Sequence, residues 1–555
     1  MAEQQIPTAA DAADTAVQAH PAGAPPVLDD AHIGDIQGAL GTIRMDDSAP
    51  RHGARSRLIA LLAIMGPGLI VMVGDNDAGG VSTYAQAGQT YGTTLLWTLL
   101  LLIPVLIVNQ EMVIRLGAVT GVGHARLIKE RFGRFWAWFS VGDLFILNFL
   151  TIVTEFIGVS LALGYLGVSK DIAVPIAAVA LVTITATGSF RSWERFMYVF
   201  VVANFLVVPL VVLAHPDLGS AIHHTFVPSI QGGASSNAIL LIIAIVGTTV
   251  APWQLFFQQS NIIDKRITTR WINYERVDTV IGAFVVVLGA GALMVVTAVT
   301  LGGGPHPVPF TDAGATAGAL GQRLGSTAGT FFAIVLLNAS LIGAAAVTLA
   351  TSYAFGDIFG ASHSLNRGFR DAKAFYATFT ALVVCAAGIV LTPGAPLGVI
   401  TEAVQALAGV LLPSSAVFLL LLCNDREVLG PWVNRPWLNV LATVIISILI
   451  ILSIILVTTT MFPSVNVTRM TEYLAVGLAV GLSAAGLVIW RRGGMSAPGL
   501  AIRAEERASW TMPPLALLGR PKWSLGRKLA MRVLTAYLVV AVVMLVVKAV
   551  QLAGG

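Results

Sequence analysis

The chain is a succession of apolar runs, each long enough to cross a bilayer, and this constrains its fold more than any other feature. From Leu58 onward the runs lie at roughly 58–88, 93–115, 136–165, 171–189, 196–214, 236–262, 277–302, 327–357, 372–392, 397–423, 437–461 and 470–490, with a thirteenth at 530–550. A helical span needs about 20 predominantly apolar residues. Lipid offers the backbone no hydrogen-bond partners, so such segments are expected to be helices in an all-α polytopic membrane bundle. Composition agrees: 56% of residues are hydrophobic and 11% charged, against roughly 45–50% apolar and about 25% charged in soluble domains. A soluble enzyme is excluded. Cys385 and Cys423 both lie inside apolar runs, so neither a disulfide framework nor a metal-binding cysteine pair is expected.

Residues 1–55 are rich in Ala, Pro and Asp and contain no apolar run, so they are expected to be a disordered cytoplasmic tail rather than a signal peptide or a span. With that tail inside, the even-numbered connections carry Arg126, Lys129, Arg131 and Arg134, then Arg191 and Arg195, then Lys265, Arg266, Arg270 and Arg276. Later ones carry Arg367, Arg370 and Lys373, then Arg426 and Arg435, and finally the stretch from Arg491 to Arg532. The odd-numbered connections carry only Lys170, Arg323 and Arg469. Basic residues concentrate on the cytoplasmic side of membrane proteins, so this asymmetry predicts a cytoplasmic amino terminus, in a bacterial inner (plasma) membrane. The scatter of these charges over several loops marks topology and not nucleic-acid binding. The expected division is a tail at 1–55, a ten-span core at 56–425, two further spans at 426–490, a basic cytoplasmic linker at 491–529, and a last span or interfacial helix at 530–555. Arg532 and Lys548 fit the interfacial alternative.

Two spans differ from the rest. The first contains Gly66-Pro67-Gly68 and then Gly74-Asp75-Asn76-Asp77-Ala78-Gly79-Gly80, and the sixth contains Gly247-Thr248-Thr249-Val250-Ala251-Pro252-Trp253-Gln254. Irregular backbone at membrane depth is tolerated only where protein buries it or it lines a cavity. Interrupted spans at matching places in two halves point to the binding site of an inverted-repeat transporter, and spans one and six match if each repeat has five helices.

Asp75 and Asp77 sit mid-span, where one carboxylate costs roughly 2.5–3.5 kcal/mol on insertion scales. A bound cation would compensate both; the alternative is protonation or capping by the unwound backbone. Glu155, in span three, is a further intramembrane acid whose plainer role is a hydrogen bond to a neighbouring helix. Glu111 and Arg115, at i and i+4, suit a structural pair. Trp253 suits packing and Gln405 helix joining, unless either faces the cavity. His20, His52, His124, His215, His223, His224, His306 and His363 lie in the tail or connections, which argues against an intramembrane zinc site. No G-x-S-x-G, H-E-x-x-H or Walker A lysine occurs, so no enzymatic activity is expected.

The two broken spans resemble those of the Nramp family of divalent metal transporters. Family members carry Asp-Pro-Gly-Asn followed by Gln-Ala-Gly in the first span, and here Asp77-Ala78-Gly79-Gly80 precedes Gln86-Ala87-Gly88 at that spacing. Gly66-Pro67-Gly68 and Tyr91-Gly92 match as well. The family's Met-Pro-His of span six is Ala251-Pro252-Trp253 here. Leu337-Asn338-Ala339-Ser340, Gln405 with Pro413, and Asn424-Asp425-Arg426-Glu427-Val428-Leu429-Gly430 extend the resemblance over about 58–460. It implies the LeuT-type fold, with two inverted five-helix repeats plus additional carboxy-terminal helices.

By that resemblance Asp77 is the principal ligand, the Thr248 carbonyl its partner from span six, and Gln405 an outer contact. Gly80 stands at a ligand asparagine position and Ala251 at the ligand methionine position. Asp75 has no counterpart in the ordinary motif and could add charge or hold a bound water. Glu155, Trp253 and Asn76 are candidates for outer-shell or gating roles. Methionine sulfur selects soft late transition metals, whereas hard cations prefer oxygen and water. Mg²⁺ gives up its waters reluctantly and is usually held by one or two carboxylates, so a roomy acidic site resembles the Nramp-related magnesium transporters. Proton-coupled relatives place a histidine where Trp253 stands and an aspartate where Ile152 stands. The function expected is therefore import of hydrated Mg²⁺, and of Mn²⁺, by alternating access without proton coupling. The alternatives are proton-coupled Mn²⁺/Fe²⁺ transport in the same family, an amino-acid or organic-solute carrier of the same fold, or, from a different class, a channel or a non-transporting receptor. The metal is cargo and no cofactor is expected; the partners are the cation and the lipid bilayer, with no nucleic acid and no obligate protein partner.

Overall fold

A computed structural model describes residues 30–47, 49–302, 307–394, 397–462, 464–491, 504–519 and 527–539. The first span is three helices, α1 (Ala54–Ile64), α2 (Pro67–Gly74) and α3 (Ala78–Tyr91). Spans two to five follow as α4 (Leu96–Thr120), a short α5 (His124–Phe132), α6 (Arg134–Tyr165), α7 (Lys170–Thr185), and the pair α8 (Phe190–Ala203) and α9 (Val207–Ala214). After α10 (Leu218–Phe226), the second unit opens with another broken span, α11 (Ser236–Thr249) and α12 (Pro252–Asp264). It continues through α13 (Ile272–Thr297), α14 (Ala313–Leu324), α15 (Ser326–Phe359), α16 (Lys373–Leu391) and α17 (Leu397–Cys423). A one-turn α18 (Arg426–Leu429) leads to α19 (Pro436–Met461) and α20 (Val467–Arg491), and α21 (Ala504–Ser509) lies in the basic stretch beyond.

Every expected span from the first to the twelfth is helical. Among the described residues eight helices are long and apolar enough to cross a membrane, and α1 with α2, bent by 54°, makes a ninth. Residues 530–539 of the last expected segment are helical; the rest of it lies outside the described residues.

The amino-terminal segment departs from expectation. Residues 1–29 lie outside the described part, but residues 30–47 form a short helical turn and a hairpin, which corrects the reading of that stretch as part of a disordered tail. Strands β1 (Ile36–Gly38) and β2 (Gly41–Ile43) pair antiparallel, Ile36 opposite Ile43. Ile36, Ala39 and Ile43 are buried in the bundle's hydrophobic surroundings, which supplies the burial that so short a hairpin lacks alone. The hairpin packs on α1.

Local chemistry explains both breaks. Gly66 has φ 150°, a conformation other residues adopt only with strain, and Pro67 takes the first helical position of α2, where its missing N–H costs nothing. The N–H groups of Gly66, Gly68 and Leu69 donate to Asp278 Oδ2 at 3.0, 2.7 and 3.2 Å, so a carboxylate of α13 caps α2. In span six, Pro252 begins α12 and has no N–H to give the carbonyl four residues earlier, that of Thr248.

Candidate metal site

The break in span one runs from Gly74 to Ala78. Asp75 caps the end of α2 in a helical conformation, whereas Asp77 is extended and caps α3, its carboxylate accepting from Gly80 N at 2.7 Å. The two residues therefore stand at opposite helix ends, and only the Asp77 carboxylate serves as a cap. Asp75 is 1% and Asp77 7% exposed, too buried for water alone to compensate their charge. Glu155 of α6 accepts from Ala78 N at 3.1 Å and lies within hydrogen-bonding reach of the Asp77 carboxyl, so those two groups can share a proton. The carboxylate sits against Gly343 of α15, where a Cβ would come within 2.7 Å of the Glu155 carboxyl carbon.

Span six faces this break. Tyr84 of α3 and Thr249 of α11 join hydroxyls at 2.8 Å. Gln254, in the first turn of α12, donates to Asp75 Oδ1 and also reaches the Thr249 carbonyl at 3.3 Å. Gln110 of α4 in turn donates to Gln254 Oε1 at 3.3 Å. Thr248 is 6% exposed, and its carbonyl points from the C-terminal end of α11, where helix dipoles favour a cation. Among the described residues, Asp75 Oδ2 has no hydrogen-bond partner, and Glu155 Oε1 has none apart from the neighbouring Asp77 carboxyl. These are acceptors for which a cation is the natural complement.

The expected residues divide as follows. Asp75, Asp77, Gly80 and Glu155 meet at the break: a Cβ on Gly80 would lie 3.1 Å from the Asp75 carbonyl, 3.3 Å from the Tyr84 ring and 3.5 Å from Asp77 Oδ1, so glycine there lets these groups approach closely. Ala251 is extended and buried just before Pro252, and contributes only a methyl group. Trp253 packs with Phe257 at 5.9 Å between ring centroids and lies beside Gly74, as a wall of the break. Asn76 turns away from the acids: its amide donates to the Val286 carbonyl of α13 at 3.0 Å, beside an apolar cavity of about 310 Å³. The Gln405 side chain lies outside the described residues. Gln254 was not singled out in the sequence; its position two residues after the proline was the available signal. Glu111 and Arg115 pair at 2.9 Å as expected of a structural contact, and Arg115 also holds the Trp432 carbonyl at 2.5 Å and Asn434 at 2.6 Å.

Residues 68–459 match the family described as natural resistance-associated macrophage protein-like. The chain belongs to the Nramp family. The match takes in both breaks and runs into α19, and the fold is the LeuT type of the family, two inverted five-helix units with α19 and α20 added. Among similar sequences, the divalent metal cation transporter MntH of Staphylococcus aureus strain Mu3 is 26% identical over 434 residues, 72% of this chain and 91% of that protein. Its counterpart in strain JH9 is 27% identical over 435 residues, with the same coverage of each chain. Among solved structures, the manganese transporter of Eremococcus coleocola, in complex with an aromatic bis-isothiourea compound, superposes with a TM-score of 0.60. It is 20% identical and covers 80% of this chain and 98% of its own.

Proposed function

We propose that this Nramp protein is an alternating-access carrier of divalent cations that imports hydrated Mg²⁺, and Mn²⁺ with it, without moving protons. Metal transport is supported by family membership and by the relatives named for it. The Mg²⁺ preference rests on one observation: the break presents carboxylate and carbonyl oxygen from Asp75, Asp77 and Thr248, while Gly80 and Ala251 contribute neither a ligand nor bulk. Oxygen ligands suit a hard, reluctantly dehydrated ion, and Ala251 carries no sulfur to favour a softer one. Two carboxylates repel an organic anion, which argues against an amino-acid carrier.

The absence of coupling rests on Ile152 and Trp253, both buried and neither able to carry a proton away from Glu155. Proton-coupled Mn²⁺ transport is the second reading, favoured by the contact between Glu155 and Asp77. The basic connections support a cytoplasmic amino terminus in a bacterial plasma membrane.

Purified protein in liposomes tests these points together. Mg²⁺ competes with Mn²⁺ uptake in the native protein, and Ala251→Met shifts the preference toward Mn²⁺. A native protein indifferent to Mg²⁺ defeats the hydrated-ion reading. Acidification of the lumen during metal entry, seen with an internal pH dye, defeats the uncoupled reading and favours the second.

A further inference from the structure

On the face of the bundle that carries the hairpin, α8, α12 and α13 bring three carboxyls and one ammonium together in a buried cluster. Glu194, Glu275 and Asp278 are fully buried and Lys265 is 1% exposed. Lys265 Nζ lies 2.6 Å from Glu194 Oε1 and donates to the Met65 carbonyl at 2.7 Å. Gln258 bridges Thr279 at 2.8 Å and Glu275 Oε1 at 3.4 Å. One ammonium does not balance three carboxylates, and burying excess charge costs several kcal/mol per ion without compensation. The unfilled hydrogen-bonding capacity is also on the acceptor side. Glu275 Oε2, Asp278 Oδ1 and Gln258 Oε1 are buried without hydrogen-bond partners among the described residues, as is the hydroxyl of Tyr198, which lies close to all three acids. The first three atoms accept and cannot donate when the acids are ionised.

We propose that this cluster is a second divalent-cation station, between the break and the hairpin face, where Lys265 takes the place of the ion while the path is closed. The proposal rests on the divalent-cation reading of the central site. The closed arrangement depends on the first half of span one: the end of α1 supplies the Met65 carbonyl that holds Lys265, and α2 supplies the three N–H groups that occupy Asp278. Displacing α1 and α2 frees the ammonium and the carboxylate together and leaves an all-oxygen site for a hydrated ion. A station on a release path must bind weakly enough to let the ion leave, and the tethered ammonium supplies that weakness by competing for the same carboxylates.

Titration of the full-length protein with Mn²⁺, following free Mn²⁺ by electron paramagnetic resonance, tests the proposal. The native protein is expected to show a tight class and a weak class of binding. Asp77→Ala removes the tight class and spares the weak one. Glu275→Gln, which keeps the shape and the Gln258 contact, weakens the weak class by about tenfold, as expected for the loss of one ligand charge, and spares the tight class. Lys265→Met tightens the weak class, and thermal melting verifies that each variant is folded. A single class in the native protein, or a weak class unmoved by both Glu275→Gln and Lys265→Met, overturns the station. Loss of both classes in Asp77→Ala also overturns it and leaves the central reading standing. Survival of both classes in Asp77→Ala defeats the central reading instead, and the station is then judged on Glu275→Gln.

Discussion

Asp77 is both a helix cap and the principal candidate ligand, and two substitutions separate these roles. An amide oxygen accepts from Gly80 N as well as a carboxylate does, so Asp77→Asn is expected to fold with near-native thermal stability yet lose metal uptake. Asp77→Ala removes the cap too and costs about 1 kcal/mol more; the comparison is made by melting the two proteins beside an uptake assay. Gln254 presents the complementary case. Its amide is the one hydrogen-bond donor found on Asp75 among the described residues, so Gln254→Leu leaves both carboxylate oxygens of Asp75 buried and unpaired. The expected loss is about 1–3 kcal/mol, seen as a lower melting temperature that saturating Mg²⁺ partly restores, because a ligand for the folded state stabilises it. A melting temperature unchanged by the substitution would show that Asp75 does not depend on that bond. Asp75 and Asp77 were legible in the sequence because lipid makes any acid conspicuous. Gln254 was not, since an amide near a helix end has no comparable cost to mark it.

Helices were the most legible level, and their interruptions were legible for the same physical reason: glycine, proline and acid together cannot continue an apolar helix. The hairpin was not, because two three-residue strands carry little pattern and are held by what they pack on. The charges of the connections were legible only as topology. Lys265, counted among the cytoplasmic basic residues, is buried against Glu194, and its neighbour Arg266 holds the carbonyls of Ala31 and Asp35 at 2.9 and 3.2 Å. The connection after α15 shows the same concealment. His363 lies 3.2 Å from Asp357, and His32 of the amino-terminal segment lies 3.0 Å from Asp264, which also binds Leu365 N at 2.8 Å. Burial opposes charge on His363, but the hydrogen bond and charge of Asp357, with the Ala361 carbonyl and Asp264, outweigh it and push the imidazole up to about 9. The raised value favours the folded state in full at pH values below the ordinary range of histidine, and the contribution fades as pH rises through about 9. Thermal stability should therefore fall as the pH rises from about 6.5 to about 9 and level off above that, and Asp357→Asn should flatten that slope. An equally steep slope in the variant would place the titrating group elsewhere.

At the scale of the whole molecule, the hairpin face is sealed where segments distant in the chain converge. Ala39 N donates to Glu194 Oε2 at 2.5 Å, Arg270 holds the carbonyls of Asp47 and Ala49 at 2.7 and 3.0 Å, and α2 is capped from α13. Under the proposed alternating access, an ion bound at the break is exposed to one side at a time, and its passage moves a fixed charge across the membrane in each cycle. The work available is about 2.3 kcal/mol per charge per 100 mV, or roughly 4.6 kcal/mol for a divalent ion, enough for accumulation of about a thousandfold with no second gradient. This makes the reversal potential the decisive whole-molecule measurement. If only the metal moves, two charges cross per cycle, and the reversal potential shifts by about 30 mV for each tenfold change in the metal gradient. It is then independent of pH. If one proton accompanies each ion, three charges cross, the metal-dependent shift falls to about 20 mV, and a unit of pH difference moves the potential by the same amount. The buried Ile152 and Trp253 predict the first outcome in liposomes carrying a potassium diffusion potential, and a pH-dependent reversal would instead make Glu155 and Asp77 a working proton path.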